Sequence, residues 1–149
     1  MDKEKNYKYV ICDIDGTVAD NNHRQHLLGK SRNWEAFFNE MENDQPINNV
    51  LEMVKKKYED GFQIIFLTGR PERYRSITKK WLEKYIYFEF CLVMRKDNDT
   101  RNKVLVKKEL FKENFSDLQI ECFIENDLDL LKLWENMKLA QVINANEYY

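Results

Sequence analysis

The chain has 149 residues, of which 43% are hydrophobic and 34% charged, with 4 Gly, 2 Pro and a net charge of −2. That length suits one domain around a single substantial core, and the scarcity of Gly and Pro excludes fibrous and low-complexity classes. The longest apolar runs fall far short of a bilayer span and the start, MDKEKNYK, lacks an apolar signal core, so no membrane segment and a cytoplasmic location are expected.

Strand-like runs lie at 8–14, 62–67, 88–94, 118–124 and 139–143. Each is short and nearly continuous in apolar residues, as in parallel strands covered on both faces. The first runs from Tyr9, Val10, Ile11 and Cys12 straight into Asp13 and Asp15. Residues 20–45 then carry Trp34, Phe37, Phe38 and Met41 at helical spacing. This segment is too long for a tight strand-to-helix loop and too short for a second domain. It reads either as a small helical flap near the strand end or as an extra core-packing helix. Residues 47–60 place Val50, Leu51, Val54 and Tyr58 on one helical face and stop at Gly61. Residues 72–85 follow Pro71 and turn Ile77, Trp81, Leu82 and Tyr85 inward. Helices are also predicted at 104–113 and 128–138, the latter burying Leu128, Leu131 and Trp134.

Strands alternating with helices predict a doubly wound α/β fold in one domain over 1–149, a mainly parallel five-stranded sheet flanked by helices, with 20–45 inserted after the first strand. Cys12, Cys91 and Cys122 sit in strand-like runs without CxxC spacing and are expected as buried, reduced thiols. Charge is uneven: residues 70–108 hold 12 Lys/Arg against 5 acids, and residues 109–149 hold 3 against 9. A basic middle and an acidic end fit a phosphate-binding side facing a metal-binding side, or solvated helix faces.

In open α/β sheets ligands bind beyond the carboxyl ends of the strands, which is where Asp13, Asp15, Thr68, Gly69 and Glu125 fall. Alternation puts Asp13 and Asp15 on the same side, where their charges repel. A hard cation removes that conflict, and magnesium takes carboxylate and carbonyl oxygens together with water and phosphate. A calcium-loop reading fails, because Gly16 stands fourth from Asp13 instead of sixth and Arg24 occupies the place of the loop's final Glu.

The stretch DIDGT at 13–17 resembles the DxDGT signature of haloacid-dehalogenase-superfamily phosphatases. The resemblance implies that Asp13 attacks phosphorus, forming an aspartyl-phosphate, and that Asp15 protonates the leaving oxygen and then activates water. It further implies Mg2+ held by Asp13, the Asp15 carbonyl and acids after the fourth strand. Thr68 and Gly69 in IIFLTGR take the place of the phosphate-oxygen binders, and a lysine is needed to stabilise developing charge, with Lys103, Lys107 and Lys108 on offer.

Within the superfamily the chain is similar, over essentially its whole length, to the 3′-phosphatase domain of phage-type polynucleotide kinases and their stand-alone relatives. The similarity lies in DNNHR at 20–24, W-x-x-F-F at 34–38, TGRPE at 68–72, Arg95, Asp99-x-Arg101, Val106-Lys107 and LWE at 133–135. It selects Lys107, and it implies that Arg70, Arg95 and Arg101 contact substrate phosphate or polynucleotide, surface ion pairs being the alternative. Relatives carry two consecutive acids where this chain has Glu125-Asn126. Glu125 is the expected ligand, supported by Asn126 or Asp127 through water, while Asp129 is another source of charge. His23, close after the first motif, reads as an exposed loop histidine or as a substrate contact, and His26 is uninformative.

The expected activity is magnesium-dependent removal of a 3′-phosphate from a nucleic-acid end. A 5′-nucleotidase for deoxynucleoside monophosphates and a retired phosphate- or protein-binding module are the alternatives. No GxxxxGK[ST] is present, so no 5′-kinase activity is expected.

Overall fold

Val10 and Cys12 bury themselves on one face of their strand, and Tyr9 and Ile11 on the other. Two-sided burial of this kind requires a central strand. In the computed structural model, which describes residues 6–30 and 32–149, that strand is the middle of a five-stranded sheet. Most of the charged N-terminal stretch and Ser31 of the insert lie outside the described residues.

In chain order the elements are β1 (Lys8–Cys12), β2 (Ala19–Asp20), α1 (Trp34–Asn39), β3 (Gln45–Pro46), α2 (Asn48–Glu59), β4 (Gln63–Pro71), α3 (Arg75–Tyr85), β5 (Phe90–Arg95), α4 (Lys103–Phe115), β6 (Gln119–Glu125), α5 (Leu128–Met137) and β7 (Gln141–Asn144). The main sheet runs β5-β4-β1-β6-β7 with every pairing parallel, while β2 and β3 form a short antiparallel ribbon. Each expected strand and helix is present, its ends displaced by a few residues.

Helices α2 and α3 cover one face, setting Val50, Val54, Trp81 and Leu82 against Val10, Phe66 and Ile124. Helices α4 and α5 cover the other, setting Leu110, Phe111 and Trp134 against Ile11, Leu67 and Phe123. Trp134 stacks on Phe123 with ring centroids 4.5 Å apart. Leu128 departs from expectation: it is the first residue of α5, beyond the sheet, and is 68% exposed, while Leu130 is buried instead. The three cysteines are free; Cys12 and Cys122 are buried and Cys91 only half-buried. Among the described residues no helix is long and apolar enough to cross a membrane.

The 20–45 insert joins neither face. Phe37, Phe38 and Met41 make a small core of their own with Leu27, Leu28, Tyr74 and Ile77, so the insert rests on the start of α3. The Asn33 side chain caps α1 by accepting from the Ala36 amide at 3.1 Å. The β2–β3 ribbon ties its two ends together through Ala19 opposite Pro46 and Asp20 opposite Gln45.

Candidate active site

The turn after β1 brings the site together. The Asp13 amide donates to the Ile124 carbonyl at 3.0 Å, and the amides of Thr17, Val18 and Ala19 converge on the Ile14 carbonyl. Such a reversal needs a left-handed residue, and Gly16 supplies it at φ 77°. Space matters as much as dihedral angle here, since a Cβ on Gly16 would stand 2.9 Å from Asn126 Cγ and closer still to its amide nitrogen. The Thr17 hydroxyl lies 3.0 Å from Asp13 Oδ2 and 3.2 Å from Asn126 Oδ1 and donates its one proton between them. We expect Gly16→Ala to lower stability by about 1–3 kcal/mol in chemical denaturation, with Asn126 pushed off Thr17.

Two buried charge networks meet at this turn. In the first, Lys107 Nζ donates to Asp13 Oδ1 at 2.6 Å and to Glu125 Oε1 at 3.1 Å. The other Glu125 oxygen accepts the amides of Asn126 and Asp127 at 3.0 and 3.3 Å. All three charged groups are buried, and two carboxylates against one ammonium leave a surplus negative charge. Burial, with Glu125 alongside, pushes the Asp13 carboxyl up to about 8, against the pull of Lys107. Burial alone would depress the Lys107 ammonium, but Asp13 and Glu125 outweigh it and hold it above its ordinary value. Among the described residues no three His, Cys, Asp or Glu side chains are gathered for a metal. A hard cation placed here would have the Asp13 and Glu125 carboxylates within reach, with the Asn126 amide and the Asp15 carbonyl as neutral oxygens.

A pH dependence follows. A carboxyl titrates at about 4 in the unfolded chain, so below that pH Asp13 is protonated in both states and its contribution is fully present. As pH rises toward 8 the unfolded chain ionises freely while folded Asp13 resists, and stability is lost. Melting in a chelating buffer should therefore show a transition temperature that falls by several degrees from pH 5 to pH 8. A flat profile there would contradict the surplus-charge description.

In the second network Arg70 clasps Asp15 through Nε at 3.0 Å and Nη2 at 2.7 Å, and its Nη1 donates to Thr78 Oγ1 at 3.1 Å. Arg24 Nη2 donates to the same Asp15 oxygen at 2.7 Å. Asp44, from the end of the insert, lies behind both: Arg24 Nε reaches it at 2.8 Å and Arg70 Nη2 at 3.3 Å. Two arginines against two aspartates make this network neutral. Burial acts to raise the Asp15 carboxyl, but Arg70 and Arg24 overcome it and hold it at about 2.

The backbone explains why Arg70 goes inward. The β4–β5 register slips between Thr68 and Pro71, a bulge that turns Arg70 under the sheet end. Expected on the substrate side, Arg70 is instead buried with its donors spent on Asp15, Asp44 and Thr78. His23 is likewise no free loop histidine, since its Nε2 sits 2.6 Å from Asp44 Oδ1. Arg24 and Asp44 were not singled out from the sequence. Arg24 lies within DNNHR, eleven residues after Asp13, and that stretch was the signal available for it.

The remaining candidates line the approach. Thr68 Oγ1 accepts the Arg70 amide at 3.1 Å, which leaves its own proton free to donate. Arg95 Nε donates to the Gly69 carbonyl at 2.9 Å, and Nη1 to the carbonyls of Asp99 and Arg101 at 3.1 and 2.7 Å, so it braces two loops at once. Arg101 is exposed and paired with Asp99 and Glu109. Lys103 pairs with Asp127, not Asp13, so Lys107 is the lysine that reaches Asp13. Asp127 caps α5 by accepting the amides of Asp129 and Leu130, and Asp129 is exposed, so neither carboxylate joins Glu125.

These features have a counterpart among known proteins. The family model of the polynucleotide kinase PNKP phosphatase domain matches residues 7–147. The chain belongs to this family. It is thus a haloacid-dehalogenase-type phosphatase, and the polynucleotide kinase phosphatase fold is evident in solved structures. A chain of the Pnkp1/Rnl/Hen1 complex matches with a TM-score of 0.79 and 28% identity, over 93% of this chain and 45% of that one. The class C acid phosphatase of Bacillus anthracis, solved with tungstate bound, matches in fold at a TM-score of 0.62 and 16% identity, over 97% of this chain and 69% of that one. In sequence, the chain is 28% identical over 144 residues to a protein of Autographa californica nuclear polyhedrosis virus whose name describes a bifunctional polynucleotide kinase/RNA ligase. That alignment takes in 94% of this chain but 20% of the viral protein, so the polynucleotide kinase phosphatase domain found here spans a fifth of that relative's length.

Proposed function

We propose that this domain removes the 3′-phosphate from a nucleic-acid end, with Asp13 as nucleophile and Asp15 as acid and base. The observation that carries the reading is the pairing of two unlike aspartates: Asp13 lies beside Lys107 in surplus negative charge, and Asp15 is clamped by Arg24 and Arg70. Unlike environments for neighbouring carboxyls are what separate acid–base from nucleophilic roles. Membership of the polynucleotide kinase phosphatase family supports the polynucleotide as substrate.

The donor set fits magnesium, which favours oxygen ligands and keeps several waters, and the surplus charge around Asp13 and Glu125 is of the sign it needs. Asp13, Glu125, Asn126 and the Asp15 carbonyl would hold it. When bound, it offsets the repulsion between a phosphate dianion and the attacking carboxylate. Asp13 first gives its proton to solvent, which the added positive charge beside Glu125 favours. Its carboxylate oxygen then attacks phosphorus, the bond to the 3′ oxygen breaks, and Asp15 gives that oxygen a proton. Asp15 is ionised in the free site, so the incoming dianion must raise its affinity for the proton it donates. Asp15 then takes a proton from water, the water oxygen bonds to phosphorus, and phosphate leaves Asp13 as a carboxylate again. Thr68 and the Gly69 amide orient the non-bridging oxygens, and Lys107 stabilises the charge that builds on them.

The test is phosphate release, with magnesium, from a 3′-phosphorylated oligonucleotide, 3′-mononucleotides and 5′-mononucleotides side by side. The oligonucleotide should be the fastest. Preference for 5′-mononucleotides would overturn the substrate, and release from none of them would overturn catalysis.

A further inference from the structure

We propose that the cleft between the insert and the β5–α4 loop holds the terminal nucleoside of the substrate strand, with its base stacked on Trp34. This rests on the polynucleotide reading above and names a subsite for it. The cleft is a cavity of about 540 Å3 bounded by Trp34 and Phe38 on one side and by Gly69, Arg95 and Lys103 on others. Gly69 follows Thr68 directly, so the cavity opens on the residues that would receive the phosphate. Its volume lies within the range of small-ligand pockets.

Trp34 differs from the other aromatic residues of the insert. Phe37, Phe38 and Met41 are buried in the insert's own core, whereas Trp34 is 47% exposed. The Phe38 ring lies against it, with centroids 5.8 Å apart and planes 23° from parallel, which steadies the indole and leaves surface free. An exposed indole held flat is the surface on which a base stacks without regard to its sequence.

Charge on the far wall suits a sugar-phosphate. Arg95 spends Nε and Nη1 on carbonyls, and among the described residues no carboxylate pairs with it. Its Nη2 lies against Gly69, 3.6 Å from where a Cβ would stand. The acids on the same wall are already engaged: Asp97 accepts from the Arg73 amide at 2.7 Å and Asp99 is held by Arg101. Four basic residues, Arg73, Arg95, Arg101 and Lys103, line the cleft against these two acids, and the three others are paired with carboxylates, so Arg95 is the charge that favours an anion there.

Trp34 is also its own reporter, because the other two tryptophans, Trp81 and Trp134, are buried. Two oligonucleotides serve as probes, each with a 3′-phosphate, one carrying an ordinary terminal base and one abasic at that position. Deoxyribo- and ribo-versions of each are used, since a base stacks from either sugar. In Asp13→Asn protein, which leaves the substrate intact, the base-bearing probe should quench tryptophan fluorescence and the abasic probe should not. In catalytic protein the base should raise kcat/KM about tenfold to a hundredfold over the abasic end. That ratio should collapse toward one in Trp34→Ala and recover in part in Trp34→Phe.

Equal quenching by both probes, or an unchanged ratio in Trp34→Ala, would overturn the subsite. If no probe is hydrolysed, the proposed reaction falls, and fluorescence alone judges the cleft: base-dependent quenching upholds stacking and its absence refutes it.

Discussion

Lys107→Met should cut phosphate release by about a thousandfold, because it removes a preorganised cation from where charge develops on phosphorus. The same change leaves Asp13 and Glu125 buried with no counter-charge, and losing one partner of a buried ion pair costs about 3–5 kcal/mol. The two effects can be separated by conditions. The stability loss should shrink in acid, where Asp13 carries its proton, and shrink again with magnesium, which replaces the missing positive charge. The catalytic loss should persist under both. Thermal melts at pH 5 and pH 8, with and without magnesium, read the first; single-turnover rates read the second. Lys103→Met is the control, since that lysine pairs with Asp127. A larger loss from Lys103→Met than from Lys107→Met would transfer the role to Lys103.

Asp13→Asn should lower the rate by about four orders of magnitude or more if Asp13 is the nucleophile proposed above. Its effect on stability should have the opposite sign. The amide oxygen can still accept from Lys107 at the place of Oδ1, while the amide nitrogen at the place of Oδ2 donates to the Thr17 hydroxyl, and the repulsion with Glu125 is gone. In chelating buffer at pH 8 the variant should melt several degrees above wild type, and the pH slope of the wild-type protein should flatten. Magnesium should raise the wild-type transition and barely move that of the variant. A variant that is inactive and also less stable than wild type would contradict the account of Asp13 as a strained charge.

The sheet was legible from residues alone because its strands are short, nearly continuous apolar runs alternating with helices, the pattern of a covered parallel sheet. Its helices were legible from one apolar stripe and from stop signals such as Gly61. Leu128 misled because its spacing matches Leu131 and Trp134, yet spacing cannot tell that the helix starts beyond the sheet edge. The strand-end positions of Asp13, Asp15, Thr68 and Glu125 followed from topology. The inward turn of Arg70 did not, because it depends on a register slip between two strands distant in sequence. Arg24 and Asp44 were harder still. Each is a charged residue in a polar stretch, which by composition belongs on the surface, and their burial rests on each other and on Asp15, Arg70 and His23. Local pattern carries packing well and carries long-range charge pairing hardly at all.

The position of Asp44 bears on how such domains can be rebuilt. It sits at the closing end of the insert, yet its carboxylate holds both arginines behind Asp15, and its carbonyl accepts the Trp81 indole proton at 2.9 Å. The insert is therefore welded to the chemistry, not hung beside it. A chimera that exchanges residues 20–45 for a foreign segment keeps the clamp on Asp15 intact only if the graft brings its own equivalents of Arg24 and Asp44. Nor are the aromatics between them free to vary at will, since Arg24 lies over the Phe37 ring at 4.2 Å and donates to its carbonyl at 3.3 Å.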